Sequence, residues 1–267
     1  MSDLLPPAEL TISQAGPVVR VTLNRPERRN ALSRSLVASL RRVFAEAPDR
    51  EGARVVVVAG EGPVFCAGGD IREFAASAED GKARADAEGL VDLLAAIADC
   101  PLPVVARVHG AAFGGAVGLL AAADLVIAAN DTKFSLSEAR LGMAPAVVGP
   151  YVAAAIGVRA ALAHMLLGAP FDAPEALRIG LAHRVVPAGE LDTEVSEVVT
   201  NLVRCAPGAQ QRIKWLCRQL AVDPAAARAL TIDLLVERLG SDEGQEGLRA
   251  FLEKRLPAWA ANGPDLS

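Results

Sequence analysis

The chain has 267 residues, enough for one large domain or a domain with an appendage, and enough to bury a substantial core. A net charge of −5 with no long basic stripe argues against a nucleic-acid partner, while local arginine clusters leave acidic substrates open. Hydrophobic residues make up 52% of the chain but aromatic residues only 4%, so Ala, Val and Leu are expected to fill the core.

Residues 10–14 and 18–23 read as a hairpin closed by Gly16-Pro17. A basic loop follows, Asn24-Arg25-Pro26-Glu27-Arg28-Arg29. Ser33 is placed to cap a helix running to about residue 46, because Leu36, Leu40, Val43 and Phe44 recur on one helical face. A β-like run at 54–59 enters a glycine-rich turn, Cys66-Ala67-Gly68-Gly69-Asp70-Ile71, which leads into a helix-like pattern. A helix at 83–98 stops before Pro101, and a strand at 104–108 enters a second such turn, His109-Gly110-Ala111-Ala112-Phe113-Gly114-Gly115-Ala116. A helix at 115–122 and strands at 125–129 and 133–136 come next. These β-β-α and β-α units imply an α/β core with short parallel strands.

Beyond Pro187 the pattern turns helical, with segments at 192–204, 209–220, 224–239 and 242–256. The expected organisation is an α/β core over 1–194 that carries the site, followed by a helical region over 195–267. Residues 110–129 are long enough for a membrane span and repeat GxxxG at Gly110, Gly114 and Gly118. Asp124 interrupts them and 124–128 read better as a strand, so no membrane contact is expected. Residues 1–7 carry neither a secretory nor a transit pattern, and Cys66, Cys100, Cys205 and Cys217 show no CxxC or zinc-like spacing. The expectation is a cytoplasmic protein with reduced thiols and no metal.

The chemistry centres on the two turns. Glycine has no Cβ to block close approach, so such a turn leaves backbone N–H groups unpaired and open. If the N–H groups of Gly69 and Gly115 face one point, they suit a carbonyl that gains negative charge, such as a thioester becoming an enolate. A helix starting near Gly115 adds the positive end of its dipole. Taken singly, each glycine motif also fits a tight turn or close helix packing. The third element is Phe134-Ser135-Leu136-Ser137-Glu138-Ala139-Arg140-Leu141-Gly142. Glu138 reads either as half of a capping box with Ser135, or as a general acid/base whose pKa is raised by Leu141, Met143 and Val147. Asp70 is expected to brace its turn, Asp124 to be structural, Cys66 to be a small buried residue, and His109 a satisfied imidazole near the core.

The order of these elements resembles the crotonase superfamily, the enoyl-CoA hydratase/isomerase family. The resemblance rests on Leu23-Asn24-Arg25-Pro26 with Asn30-Ala31-Leu32, both glycine turns, 124–128, 134–142, 173–186 and Phe251-Leu252-Glu253-Lys254-Arg255, and covers about residues 10–256. It implies a spiral of ββα units with a helical trimerisation region, homotrimers or homohexamers, and acyl-CoA thioester substrates. Coenzyme A is then part of the substrate and no separate cofactor is implied.

Within that resemblance Gly69 and Gly115 match the two oxyanion-hole donors and Glu138 matches one of a hydratase's two glutamates. The second falls on Gly118, which has no carboxylate. The basic loop with Arg25, Arg28 and Arg29 reads either as a solvated turn or as a contact for the phosphates of coenzyme A, which Lys254 and Arg255 could also reach from a neighbouring subunit. Ala67, Gly69 and Ile71 match the backbone path of adenine and pantetheine, and Phe74, Val147 and Tyr151 are candidates for the acyl pocket.

The missing carboxylate favours an isomerase. The stretch Arg140-Leu141-Gly142-Met143-Ala144-Pro145-Ala146, with Pro150-Tyr151 after it, looks like bacterial hydratases of branched glutaconyl-type CoA esters and favours hydration. The expected activity is enoyl-CoA hydration, with isomerisation as the alternative and a non-catalytic acyl-CoA-binding protein as a third reading. A dinucleotide site is set aside because Gly110 to Gly118 does not fit GxGxxG.

Overall fold

The computed structural model describes residues 9–222 and 227–261. It opens with the expected hairpin, β1 (Leu10–Ala15) and β2 (Val18–Leu23), antiparallel from Leu10↔Leu23 to Ala15↔Val18. Helix α1 (Arg34–Glu46) is capped as expected, the Ser33 side chain accepting from the N–H of Leu36. Strand β3 (Val55–Gly60), helices α2 (Ile71–Asp80) and α3 (Ala83–Asp99), strands β4 (Val104–Val108) and β5 (Ala111–Phe113), helix α4 (Gly115–Ala122) and strands β6 (Leu125–Ala129) and β7 (Lys133–Ser135) follow.

Residues 142–187, for which the sequence pattern predicts no defined element, hold α5 (Gly149–Ile156), α6 (Val158–Leu167), β8 (Phe171–Asp172), α7 (Ala173–Ile179) and β9 (Arg184–Val186). The chain then runs through α8 (Leu191–Val203), α9 (Pro207–Val222), α10 (Ala227–Gly240), α11 (Asp242–Leu252) and α12 (Ala258–Ala261).

Six strands form one sheet in the order β1-β2-β3-β4-β6-β9, parallel throughout except for the β1–β2 pair. The central strands are apolar on both faces because both faces are covered. Val56, Val58, Val104, Ala106, Val108, Val126 and Ala128 point into the larger core with α1, α3 and α4. The alternate residues Val55, Val57, Val105, Ile127 and Ala129 point the other way, against Leu191, Val195, Val198, Val199 and Val203 of α8. The expected boundary between residues 194 and 195 therefore falls inside α8, a helix that forms one layer of the α/β core.

The four C-terminal helices agree with the sequence reading, with shifted ends. The predicted start at 224 lies outside the described residues, and the helix predicted to reach 256 stops at Leu252. No helix among the described residues is long and apolar enough to cross a membrane.

Candidate active site

β3 and β4 are adjacent and parallel, Val56 pairing with Val104, so the segments that follow them leave the sheet on the same side. Those segments carry the two glycine turns. A second, small sheet, β5-β7-β8, ties them together: Cys66 bridges Ala112 in parallel, and Ala112 pairs with Phe134. Three stretches distant in sequence thus run side by side in fixed register. Three residues past Cys66 and Ala112 come Gly69 and Gly115, and four past Phe134 comes Glu138.

The register decides which amides are free. In the parallel bridge between Leu32 and Gly69, the N–H of Leu32 donates to the Gly68 carbonyl at 2.7 Å and the N–H of Asp70 donates to the Leu32 carbonyl at 3.0 Å. The bridge uses the groups flanking Gly69, so the N–H of Gly69 itself points to the other side. Gly115 is the first residue of α4, where an N–H has no partner within the helix. The Gly69 nitrogen lies 3.7 Å from the position a Cβ on Gly115 would take, so the two amides are close neighbours. Gly68 makes this approach possible: at φ +93° it accommodates a crossing in which a Cβ would stand 2.5 Å from the Phe113 carbonyl oxygen.

Glu138 opens a single 3₁₀ turn after β7. Its Oε1 lies 3.1 Å from where a Cβ on Gly114 would stand, so the carboxylate occupies the space that Gly114, at φ +50°, leaves vacant. Oε2 is buried and has no hydrogen-bond partner in the protein. Burial raises the Glu138 pKa above the ordinary glutamate value. The capping-box reading does not survive, because Ser135 lies in β7 and the residue at the cap of the turn is Ser137, which makes no side-chain capping bond. A partly desolvated carboxyl with one uncommitted oxygen, beside two free amides, is equipped to carry a proton.

Gly69, Gly115 and Glu138 border one cavity of about 650 Å³, lined mostly by apolar groups, as are Ala67, Ile71, Phe74 and Val147. Tyr151 is not among its lining residues; it packs on the larger core instead. The position of the second glutamate is closed. Gly118 is buried in α4, and a Cβ there would meet Val148 Cγ1 at 2.4 Å and Leu94 Cδ1 at 3.6 Å. Val148 borders the cavity and Gly118 does not.

Arg25 does not offer its guanidinium to a phosphate. Nε pairs with Glu9 at 2.8 Å, Nη2 with Asp70 at 3.4 Å, and Nη1 donates to the Ala31 carbonyl at 2.5 Å, leaving the side chain 12% exposed. Arg28 and Arg29 are exposed, and the Arg29 carbonyl accepts from the N–H of Ala67. Lys254 is exposed just after α11, and neither it nor Arg255, which pairs with Glu246 and Glu253, lines the cavity.

The other ionisable candidates from the sequence are held in structural contacts. Asp70 caps α2 through the N–H of Arg72, and Asp124 accepts from Val104 N–H and from Lys214. His109 is satisfied by the Gly62 carbonyl and Arg107. Cys66 is buried, its thiol pushed up to about 12 by desolvation, which makes it inert as a nucleophile. Among the described residues no cluster of side chains could hold a metal ion.

Sequence reasoning missed the roles of Leu32, Gly114 and Val148. Each depends on a partner far away in sequence, and only the Gly114–Gly115 doublet signals close packing in advance.

A family model for enoyl-CoA hydratase/isomerase matches residues 13–262. Human enoyl-CoA hydratase domain-containing protein 3, mitochondrial, is 30% identical over 260 residues, covering 95% of this chain and 84% of that protein. Among solved structures, Pseudomonas aeruginosa AtuE has a TM-score of 0.90 at 37% identity, covering 94% of this chain and 99% of the other. An enoyl-CoA hydratase from Shewanella pealeana has a TM-score of 0.89 at 32% identity, covering 94% and 96%.

Proposed function

Because the chain belongs to the enoyl-CoA hydratase/isomerase family and carries its crotonase fold, we propose that it hydrates the α,β-double bond of an acyl-CoA thioester. The observation that carries this reading is the uncommitted, buried Oε2 of Glu138 on the same cavity as the free amides of Gly69 and Gly115. The thioester carbonyl oxygen accepts from both amides. Ionised Glu138 takes a proton from water while the water oxygen bonds to Cβ, and the π electrons move onto the carbonyl oxygen as an enolate. The amides hold that charge, and the α4 dipole adds to them. Glu138, now protonated, returns its proton to Cα, the enolate collapses to the thioester, and the carboxylate is regenerated. One carboxyl group closes the cycle with atoms and charge balanced.

Isomerisation is the second reading, favoured by the valine side chain that fills the space beside Gly118. It needs only removal and return of a carbon-bound proton, again by Glu138. Incubation with 2-enoyl and 3-enoyl thioesters, with mass detection of products, separates the two. A 3-hydroxyacyl product from the 2-enoyl ester is expected. Interconversion of the two esters without uptake of water overturns hydration, and tight binding with no turnover supports a binding protein instead.

For the coenzyme, exposed Arg28 and Arg29 remain the phosphate contacts in this reading, with Ala67, Gly69 and Ile71 along the pantetheine path and Lys254 supplied across a subunit contact. A homotrimer or homohexamer fits the exposed apolar side chains of α6 (Val158, Leu162, Leu166) and of the C-terminal region (Phe251, Leu252). Light scattering on the purified protein checks it: a monomer would remove Lys254 from the site.

A further inference from the structure

We propose that Leu32 is a positioning residue that sets the spacing of the two oxyanion donors; the proposal rests on the hole described above. Leu32 touches both donor turns, one through its backbone and the other through its side chain. Its backbone bonds to both neighbours of Gly69, accepting from Asp70 N–H and donating to the Gly68 carbonyl, and so fixes the direction of the Gly69 amide. Its side chain reaches the other donor, with Cδ1 3.1 Å from where a Cβ on Gly115 would stand. Leu32 is 6% exposed and packs in the core while bordering the cavity.

The loop that carries Leu32 is itself anchored. Arg25 grips the Ala31 carbonyl, one residue before Leu32, and Asp70, one residue after Gly69. The buried Asn30 accepts from Arg25 N–H at 2.8 Å and donates to the carbonyls of Glu61 and Val64 at 2.8 and 2.9 Å. These bonds bind the 25–32 segment to the chain leading into the first glycine turn. Donor spacing is a quantity to which an oxyanion hole is sensitive, because its amides must stand within hydrogen-bond distance of one small charged oxygen. A clamp that touches both donors, made of the backbone and the side chain of one residue, controls that spacing.

The test reads carbonyl polarisation directly. A 2-enoyl-CoA thioester bound to the full-length protein is expected to show a lowered carbonyl stretching frequency by Raman or infrared difference spectroscopy. In Leu32→Ala, kcat should fall about tenfold or more and the carbonyl shift should shrink, a loss separate from any change in thioester affinity caused by trimming a side chain that also borders the cavity. Leu32→Met, which keeps reach and apolarity, should restore most of both. Leu32→Val carries the test if the alanine variant does not fold, with a smaller loss of the same kind. Arg25→Gln distinguishes positioning from direct contact, since Arg25 does not line the cavity, and it should also reduce the shift. A folded Leu32 variant with wild-type shift and kcat overturns the role of Leu32 alone. A wild-type complex whose carbonyl is not shifted overturns the oxyanion-hole reading itself, and this proposal with it.

Discussion

Gly114 and Gly118 stand four residues apart at the start of α4, one turn of helix from each other, yet the molecule treats them in opposite ways. Beside Gly114 lies the carboxyl of Glu138; beside Gly118 lies the side chain of Val148. One gap holds a polar group with an uncommitted oxygen, and the other is closed by hydrocarbon. The site is therefore asymmetric: an acid on one flank of the amide pair and an apolar wall on the other. The difference teaches that a glycine in a site is defined by what moves into the space it leaves, and the sequence of the helix does not contain that information.

The largest effect tests the acid flank. Glu138→Gln keeps the shape and removes the proton carrier, so turnover should fall by roughly 10²–10⁴, measured as kcat on a 2-enoyl-CoA thioester. Near-full activity would take Glu138 out of the reaction.

Next is Gly114→Ala, which attacks the same flank from the backbone. A Cβ would stand 3.1 Å from Glu138 Oε1 at a φ of +50° that L side chains rarely adopt. The backbone strain costs about 1–3 kcal/mol, and the carboxyl must move to admit the methyl group. Both stability in urea and kcat should drop; a variant with unchanged kcat would show that the Glu138 position is not critical to the chemistry.

The apolar flank answers to packing alone. Gly118→Ala places a methyl group 2.4 Å from Val148 Cγ1 and should destabilise by about 1–3 kcal/mol through overpacking. Adding Val148→Ala makes room, so the double variant should recover part of that loss, and a double-mutant cycle reads the coupling. Strictly additive effects would mean that the two residues are not in contact.

Much of this was legible in the residues. The hairpin, the Ser33 cap, the central strands and both turns follow from periodicity and from Gly and Ser placement, which are local signals. Glu138 was visible as a candidate but not decidable, because its two readings differ in what surrounds the carboxyl, and the space it enters is left by Gly114, far away in the sequence. Arg25 was misread for the same reason. Its basic loop looks like a phosphate site until Glu9 and Asp70 close on it. The apolar segments α5 and α6 escaped notice because small and apolar residues run around them with little periodic contrast, and α8 was cut at 194 because helical pattern does not reveal which sheet face a helix covers.

The smallest effect is the pH dependence of stability, and it separates the two flanks most cleanly. Burial holds the Glu138 pKa above its value in the unfolded chain. In that direction the unfolded chain gives up its proton first as pH rises, so the stability associated with the protonated form is complete at acid pH. It is lost as pH climbs from the ordinary glutamate value through the raised one. Glu138→Gln removes this loss, so its melting temperature should equal or exceed that of wild type at neutral pH, with the gain vanishing once the carboxyl is protonated in both the folded and the unfolded chain. Activity runs the other way, because the general base must be ionised: kcat should fall as pH drops through the raised pKa, at a higher pH than an exposed glutamate would give. Gly118→Ala and Val148→Ala, which carry no titrating group, should shift the melting curve by the same amount at every pH. A pH-dependent gain that is absent from Glu138→Gln but present in the Val148 variant would mean that the buried charge at this site belongs to some other group.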